Sequence, residues 1–219
     1  MLYISIFSVL VPLILGIVFY KRLESNSRIL MLMLTFASIS QLSSFFLTNW
    51  KNIWVFYNVY TLIDSAFWGY LFYKNSENRW IRYTITTMIS LQAIFSVCMF
   101  SSVGINKRFF SEFVCLNSLL ELLWVLSFFY ERYKREEIEA LEKEPMFWFC
   151  LGILIYDPTT YFLFAFYDIV RHSPNPQYKP LWTIHDILNA CMYLIFAVGI
   201  YVNVVRTSKF RHTFIPNES

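Results

Sequence analysis

Residues 182–205 read WTIHDILNACMYLIFAVGIYVNVV. The stretch contains one acid, Asp186, and neither lysine nor arginine. About 20 mostly apolar residues are enough for a helix to cross the hydrocarbon core of a membrane. A membrane-spanning strand would instead alternate polar and apolar residues. We therefore predict a transmembrane helix here, because every backbone group in lipid has to find its partner within the protein.

The whole chain has the composition of a protein covered largely by lipid. Hydrophobic residues make up 57% of it and charged residues only 15%, whereas soluble domains contain about 25% charged residues. The apolar runs predict an all-α, polytopic bundle of seven transmembrane helices at 2–20, 29–48, 53–73, 81–102, 112–130, 147–170 and 182–205. Residues 206–219 then form a short tail. We expect 2–20 to be a retained first helix, because a basic region before it is absent.

The basic residues predict the orientation of the bundle. Lysine and arginine are enriched in cytoplasmic loops, and 13 of the 18 basic residues fall on one set of flanks, which includes Lys21, Arg22 and Lys74. This set faces the cytoplasm, so the N-terminus lies outside and the C-terminus inside. The net charge of +3 is small, and nothing in its distribution suggests a nucleic-acid partner.

The longest predicted cytoplasmic loop, residues 131–144, is rich in charged residues that favour helix. We expect the fifth helix to extend into it. Two interpretations stay open. The segment is a solvated helical extension, or it is a surface on which a membrane or cytoplasmic signalling protein docks, because charged helix faces also select partners.

Three acids fall near the middle of predicted spans: Asp64, Glu121 and Asp157. At 1.5 Å per residue each lies about 14–16 Å into its helix, near the middle of a core about 30 Å thick. No lysine or arginine occurs at that depth, so the three carboxyls cannot all stay ionised without a cation. They are neutral hydrogen-bonding groups between helices, part of a proton or cation pathway, or part of a ligand pocket.

Neighbouring polar residues predict that these acids share an interior core. Asn58 lies on the face of Asp64, Asn117 precedes Glu121 by four residues, and Gln41 belongs to a polar face of the second helix. A carboxylate facing lipid at mid-membrane would be costly. We therefore expect all three acids to point inward and at least two to approach each other. Pro158, directly after Asp157, predicts a kink that frees the carbonyl of Leu154.

The seventh predicted helix begins with a polar stripe near the outer surface. Spacings of three and four align Trp182, His185, Asn189 and Tyr193 on one face, with Asp186 beside them. Histidine titrates near physiological pH, so the stripe is a candidate for reading external pH or binding a polar ligand. The alternative is a histidine that hydrogen-bonds within the bundle.

The sequence gives no catalytic, metal or cofactor signature. Only one of the three histidines, His185, falls within a span, and the four cysteines all lie in apolar segments without a CxxC pair. Zinc sites need three or four ligands from such residues. The absence of lysine from the seventh span also excludes a retinal Schiff base. We expect a protein that is not an enzyme and uses no cofactor.

Two stretches, Met146–Tyr156 and Trp182–Asn189, resemble a group of small bacterial seven-helix membrane proteins without an established activity. That group is similar in layout to membrane modules that accompany sensor kinases. The resemblance implies a bacterial cytoplasmic membrane, and no functional residue transfers from it. We expect a non-enzymatic sensory or signalling module that acts with a partner protein. The alternative is a proton- or cation-coupled transporter that uses the mid-membrane carboxylates, although the chain has only 5 glycines and many transporters have glycine-broken helices.

Overall fold

The computed structural model describes residues 3–46, 53–134, 141–167, 169 and 179–214, and within these ranges the chain is helical and contains no strand. Its main helices are α1 (Tyr3–Ser8), α2 (Leu10–Val18), α3 (Ser25–Phe46), α4 (Ile53–Asn75), α5 (Arg79–Met99), α6 (Ser111–Lys134), α7 (Pro145–Ala165) and α8 (Lys179–Phe214). The predicted all-α fold is therefore confirmed. Short turns of other helix types occur at Tyr20–Arg22 and Phe100–Gly104.

Within the part of the chain that the structure describes, four helical segments are long and apolar enough to cross a membrane: Arg79–Gly104, Ser111–Lys134, Pro145–Ala165 and Pro180–Thr207. They correspond to the fourth to seventh predicted spans, and they identify a membrane protein. The helices at the second and third predicted spans, α3 and α4, have the length of a crossing but are not among these four segments. The apolar helix of the first segment, Ser5–Val18, is shorter.

The first predicted span is divided between two helices in the structure. Val9 lies between α1 and α2 and keeps right-handed helical backbone angles. Pro12 follows three residues later, and its ring nitrogen cannot donate to the carbonyl of Ser8. The missing backbone bond explains why the helix is irregular at this point.

Helix α8 continues past its predicted end at residue 205 to Phe214. Helix α6 continues past residue 130 to Lys134, as expected for an extension into the charged loop. Residues 135–140 of the charged loop lie outside the described residues. Helix α7 runs without a break through Pro158 to Ala165. The Thr160 hydroxyl donates to the carbonyl of Tyr156 at 3.1 Å. It therefore does not bond to the carbonyl of Leu154, which Pro158 leaves without its helical donor.

The centre of the bundle is formed by α7, which packs on α6 and α8. Helix α8 also contacts α1 and α2, α6 contacts α4, and α3 and α5 pack on α4. Two glycines allow α7 and α8 to approach closely. A Cβ atom on Gly152 of α7 would lie 2.6 Å from the Phe196 ring, and one on Gly199 of α8 would lie 2.5 Å from the Phe149 ring. Small residues commonly allow such close packing between helices in membranes.

We expect Gly152→Ala and Gly199→Ala each to lower the free energy of unfolding by about 1–2 kcal/mol, because the added methyl overlaps a rigid ring in a full core. Thermal unfolding of the purified protein in nanodiscs measures the change. Gly16→Ala is the matched control, since a Cβ there meets the flexible end of Met31. Equal or greater loss in the control would contradict the α7–α8 contact as described.

Candidate functional site

The middle of the bundle contains a cluster of three acids joined through one amide. The Asn117 side chain donates from Nδ2 to Glu121 Oε1 at 2.7 Å and to Asp64 Oδ2 at 3.2 Å. The Glu121 and Asp157 carboxyls lie close enough to interact with each other. Helices α4, α6 and α7 therefore each contribute at least one member to this group, which we call the carboxyl cluster: Asp64, Asn117, Glu121 and Asp157.

The carboxyl cluster is deeply buried on two of its three helices. Glu121 and Asp157 are each 4% exposed and Asn117 is 6% exposed, whereas Asp64 is half-buried. Two of its oxygens, Asn117 Oδ1 and Asp157 Oδ2, are buried without a hydrogen-bond partner. Such atoms are expensive to bury unless something supplies a donor or a positive charge.

Three tyrosines surround the carboxyl cluster. Tyr60, Tyr156 and Tyr193 are close enough to one another and to Asp64 to interact electrostatically with it. The Tyr193 hydroxyl lies 2.9 Å from the Gln41 amide. With the amide oxygen accepting this bond, the Gln41 nitrogen donates to the carbonyl of Ile6 at 3.1 Å. The polar core thus reaches from α4 and α7 across α8 to α3 and α1.

His185 connects to the carboxyl cluster through Tyr156. Its Nε2 lies 2.9 Å from the Tyr156 hydroxyl, and its Nδ1 lies 3.9 Å from Asp186 Oδ1. Tyr156 directly precedes Asp157 in α7. His185 is therefore linked to Asp157 through its hydrogen bond with Tyr156, the residue next to Asp157 in the sequence. Asp157 is in turn linked to α4 and α6 through the other members of the carboxyl cluster.

A layer of aromatic rings lies on the His185 side of this network. Phe164 packs edge-on against His185 and Trp182 and is stacked on Tyr167. Phe109 adds a ring contact to Phe164 from the segment between α5 and α6. These rings separate the end of the helix bundle from the polar groups beneath them.

Two residues that the sequence assigned to the polar core or to the outer stripe, Asn58 and Asn189, form hydrogen bonds outside the carboxyl cluster. Asn58 is buried, but its amide donates to the carbonyls of Ile105 and Arg108, each at 3.0 Å, and accepts from the backbone N–H of Phe110. It holds the α5–α6 connection, and six residues separate it from Asp64, which is about 9 Å along a helix. Asn189 donates to Ser5 Oγ at 2.8 Å and so joins α8 to α1.

Two of the three tyrosines, Tyr60 and Tyr156, could not be identified from the sequence pattern. Tyrosine is common at membrane interfaces, and that expectation hides the polar role of Tyr60 and Tyr156. The sequence does contain a signal for Tyr60, because this residue lies four positions before Asp64 and so shares its helix face.

A separate buried hydrogen bond, from Ser65 to Gln92 at 2.6 Å, joins α4 to α5.

We expect Asn117→Ala to lower the free energy of unfolding by about 2–3 kcal/mol, because it leaves two buried carboxyls without their shared donor. Thermal melts in nanodiscs measure this. Ser127→Ala is the control on the same helix, where an exposed hydroxyl bonds only to the carbonyl of Leu123. A loss below that of the control would mean that the amide contributes nothing to the cluster.

The chain was compared with protein-family models, with curated proteins and with solved structures, and no match was found in any of the three comparisons. Among the described residues, no group of three or more His, Cys, Asp or Glu side chains is arranged to hold a metal ion. The function is therefore argued from the carboxyl cluster and the groups linked to it.

Proposed function

We propose that this chain is a non-enzymatic sensory module of seven transmembrane helices in a bacterial cytoplasmic membrane, which passes a signal to a partner protein. The observation that supports it best is the length of α8. This helix contains His185 and Tyr193 of the polar network and continues to Phe214, over 36 residues, or about 54 Å. A change at the network therefore acts directly on a helix that reaches the opposite side.

In the proposed topology α1 and α2 together form the first crossing, and the N-terminus lies outside. Ion pairs support the grouping of the cytoplasmic ends. Arg132 lies 3.1 Å from Glu144, and Arg206 lies 3.8 Å from Glu24. The backbone N–H of Glu24 also donates to Asn203 Oδ1 at 3.0 Å. These contacts join the ends that have the excess of basic residues.

Reporter fusions test this topology. We expect a reporter inserted in residues 131–144 to be active only as a cytoplasmic protein, and one inserted in 171–181 only as an external protein, because basic loops stay inside. Alkaline phosphatase and a fluorescent protein serve as the paired reporters. Exchange of the two activities at either position would reverse the orientation.

The signal is proposed to reach the partner at residues 131–144 or through the end of α8. Both follow helices that contribute to the polar network, since Glu121 belongs to α6 and His185 to α8. The acidic and basic side chains of 131–144 suit a charged, water-exposed contact with a signalling protein. A membrane module that accompanies a sensor kinase would have such an output surface.

A proton- or cation-coupled transporter is the second candidate. The observation that favours it is the carboxyl cluster itself, because acids in the middle of a bundle often relay protons or bind coupling ions. The two functions differ in one measurable property: a transporter moves its ion or solute across the membrane in net amounts, and a sensor does not.

We expect a fluorophore on Ser208→Cys, in a chain whose four native cysteines are replaced, to change its emission when the pH is stepped in nanodiscs. His185→Gln should abolish this change, because it removes the imidazole that is bonded to Tyr156. Glu112→Gln, an exposed acid paired with Arg108, is the control.

Proteoliposomes that contain the protein should show no proton or sodium flux above that of empty vesicles. Robust flux that is lost in Glu121→Gln would replace the sensory proposal by transport.

A further inference from the structure

The carboxyl cluster contains more hydrogen-bond acceptors than the surrounding groups can satisfy. Each of the three carboxyls has two oxygens, and the Asn117 amide donates to only two of them. Asn117 Oδ1 and Asp157 Oδ2 are buried, belong to side chains that are more than nine-tenths buried, and have no partner. The unpartnered atoms are both acceptors, so the missing component is a donor or a positive charge.

The helical segments around the cluster contain no lysine or arginine that could supply that charge. Lysine and arginine are absent from residues 53–73, 112–131, 145–170 and 180–205. The titratable groups that face the cluster are Tyr60 and Asp64 from α4, Glu121 from α6, Tyr156 and Asp157 from α7, and Tyr193 and His185 from α8. Helix α3 adds only the neutral Gln41.

We propose that the carboxyl cluster binds a small monovalent cation, which exchanges with a proton. The cation enters as one carboxylic acid loses its proton to water, so the charge of the site is unchanged: a neutral acid and M⁺ become a carboxylate–M⁺ pair and H⁺. Asp157 Oδ2 and Asn117 Oδ1 supply its first two oxygen ligands. Oxygen ligands of this kind suit hard cations.

Of the two unpartnered oxygens only Asp157 Oδ2 belongs to a carboxyl group, which argues for a single rather than a double charge. A divalent ion generally takes several charged ligands, whereas one carboxylate balances a monovalent ion. Sodium, potassium and ammonium share this chemistry. Asp64, which is half-buried, is the member of the cluster that keeps accessible surface for an incoming ion.

The cation would be the signal that the proposed sensor detects. Its physiological role rests on the proposed sensory function, whereas its binding does not. Binding is measured on the purified protein and signalling by the fluorophore at residue 208, so each can fail alone. Cation binding without an emission change would support the cation site and contradict the sensory function. An emission change without cation binding would support the sensory function and contradict the cation site.

The test is thermal unfolding of the full chain in nanodiscs, with sodium, potassium, ammonium or choline chloride at equal ionic strength. At pH 8.5 at least one small cation should raise Tm by several degrees relative to choline, which is too large for the site. The rise should shrink or vanish at pH 5.5, where protons compete for the carboxylates. Comparison of sodium, potassium and ammonium identifies the ion.

Asp157→Asn and Glu121→Gln should each abolish the cation-dependent rise, and the exposed Glu112→Gln should retain it. If a cluster variant fails to fold, isothermal titration of the unaltered protein decides, with proton release followed by a pH dye. Equal Tm in all four salts together with no heat of binding would overturn the proposal. Retention of the full rise in a folded Asp157→Asn protein would also overturn it.

Discussion

The side-chain amide of Asn117 is the interaction on which the polar interior depends. Its two N–H groups are shared between Asp64 and Glu121, and Glu121 in turn contacts Asp157. Without this donor, two helices would each place an uncompensated acid in a medium of low dielectric constant. Buried polar networks are favourable only when their members are satisfied. The amide thus allows α4, α6 and α7 to meet at their acidic residues, where packing of apolar residues alone would keep such groups apart.

Around this centre, apolar packing and polar contacts act at different levels of the bundle. The reciprocal contacts of Gly152 with Phe196 and Gly199 with Phe149 bring α7 and α8 together. Towards the other end of the same two helices, Tyr156 and His185 meet through a hydrogen bond. The close helix approach fixes the positions of the polar groups, because a side chain on a rigid helix moves only as the helix moves. The aromatic layer near His185 then closes that end with rings that pack in tilted and edge-on arrangements.

The fold class could be predicted from the sequence because a long apolar run leaves the backbone few alternatives in lipid. The position of a residue along its helix follows from the fixed rise per residue. The partners of the polar side chains could not be predicted. Asn58 was assigned to the face of Asp64, yet six residues place the two about 120° apart around the helix, and the loop at Ile105 and Arg108 takes the Asn58 amide. Tyr60 and Tyr156 were missed because one side chain suits both a membrane interface and a polar interior. The irregularity at Val9 depends on Pro12, whose effect on a single crossing varies with its neighbours.

The position of α8 also has a consequence for how the protein is made. This helix packs on α1 and α2, near the start of the chain, as well as on α7. During synthesis the early helices enter the membrane before the neighbour that they need for burial has been translated. Ser5 then lacks Asn189, Glu24 lacks Asn203, and Tyr156 lacks His185. The bundle can close only after α8 has been made, so the preceding helices stay without these partners until then.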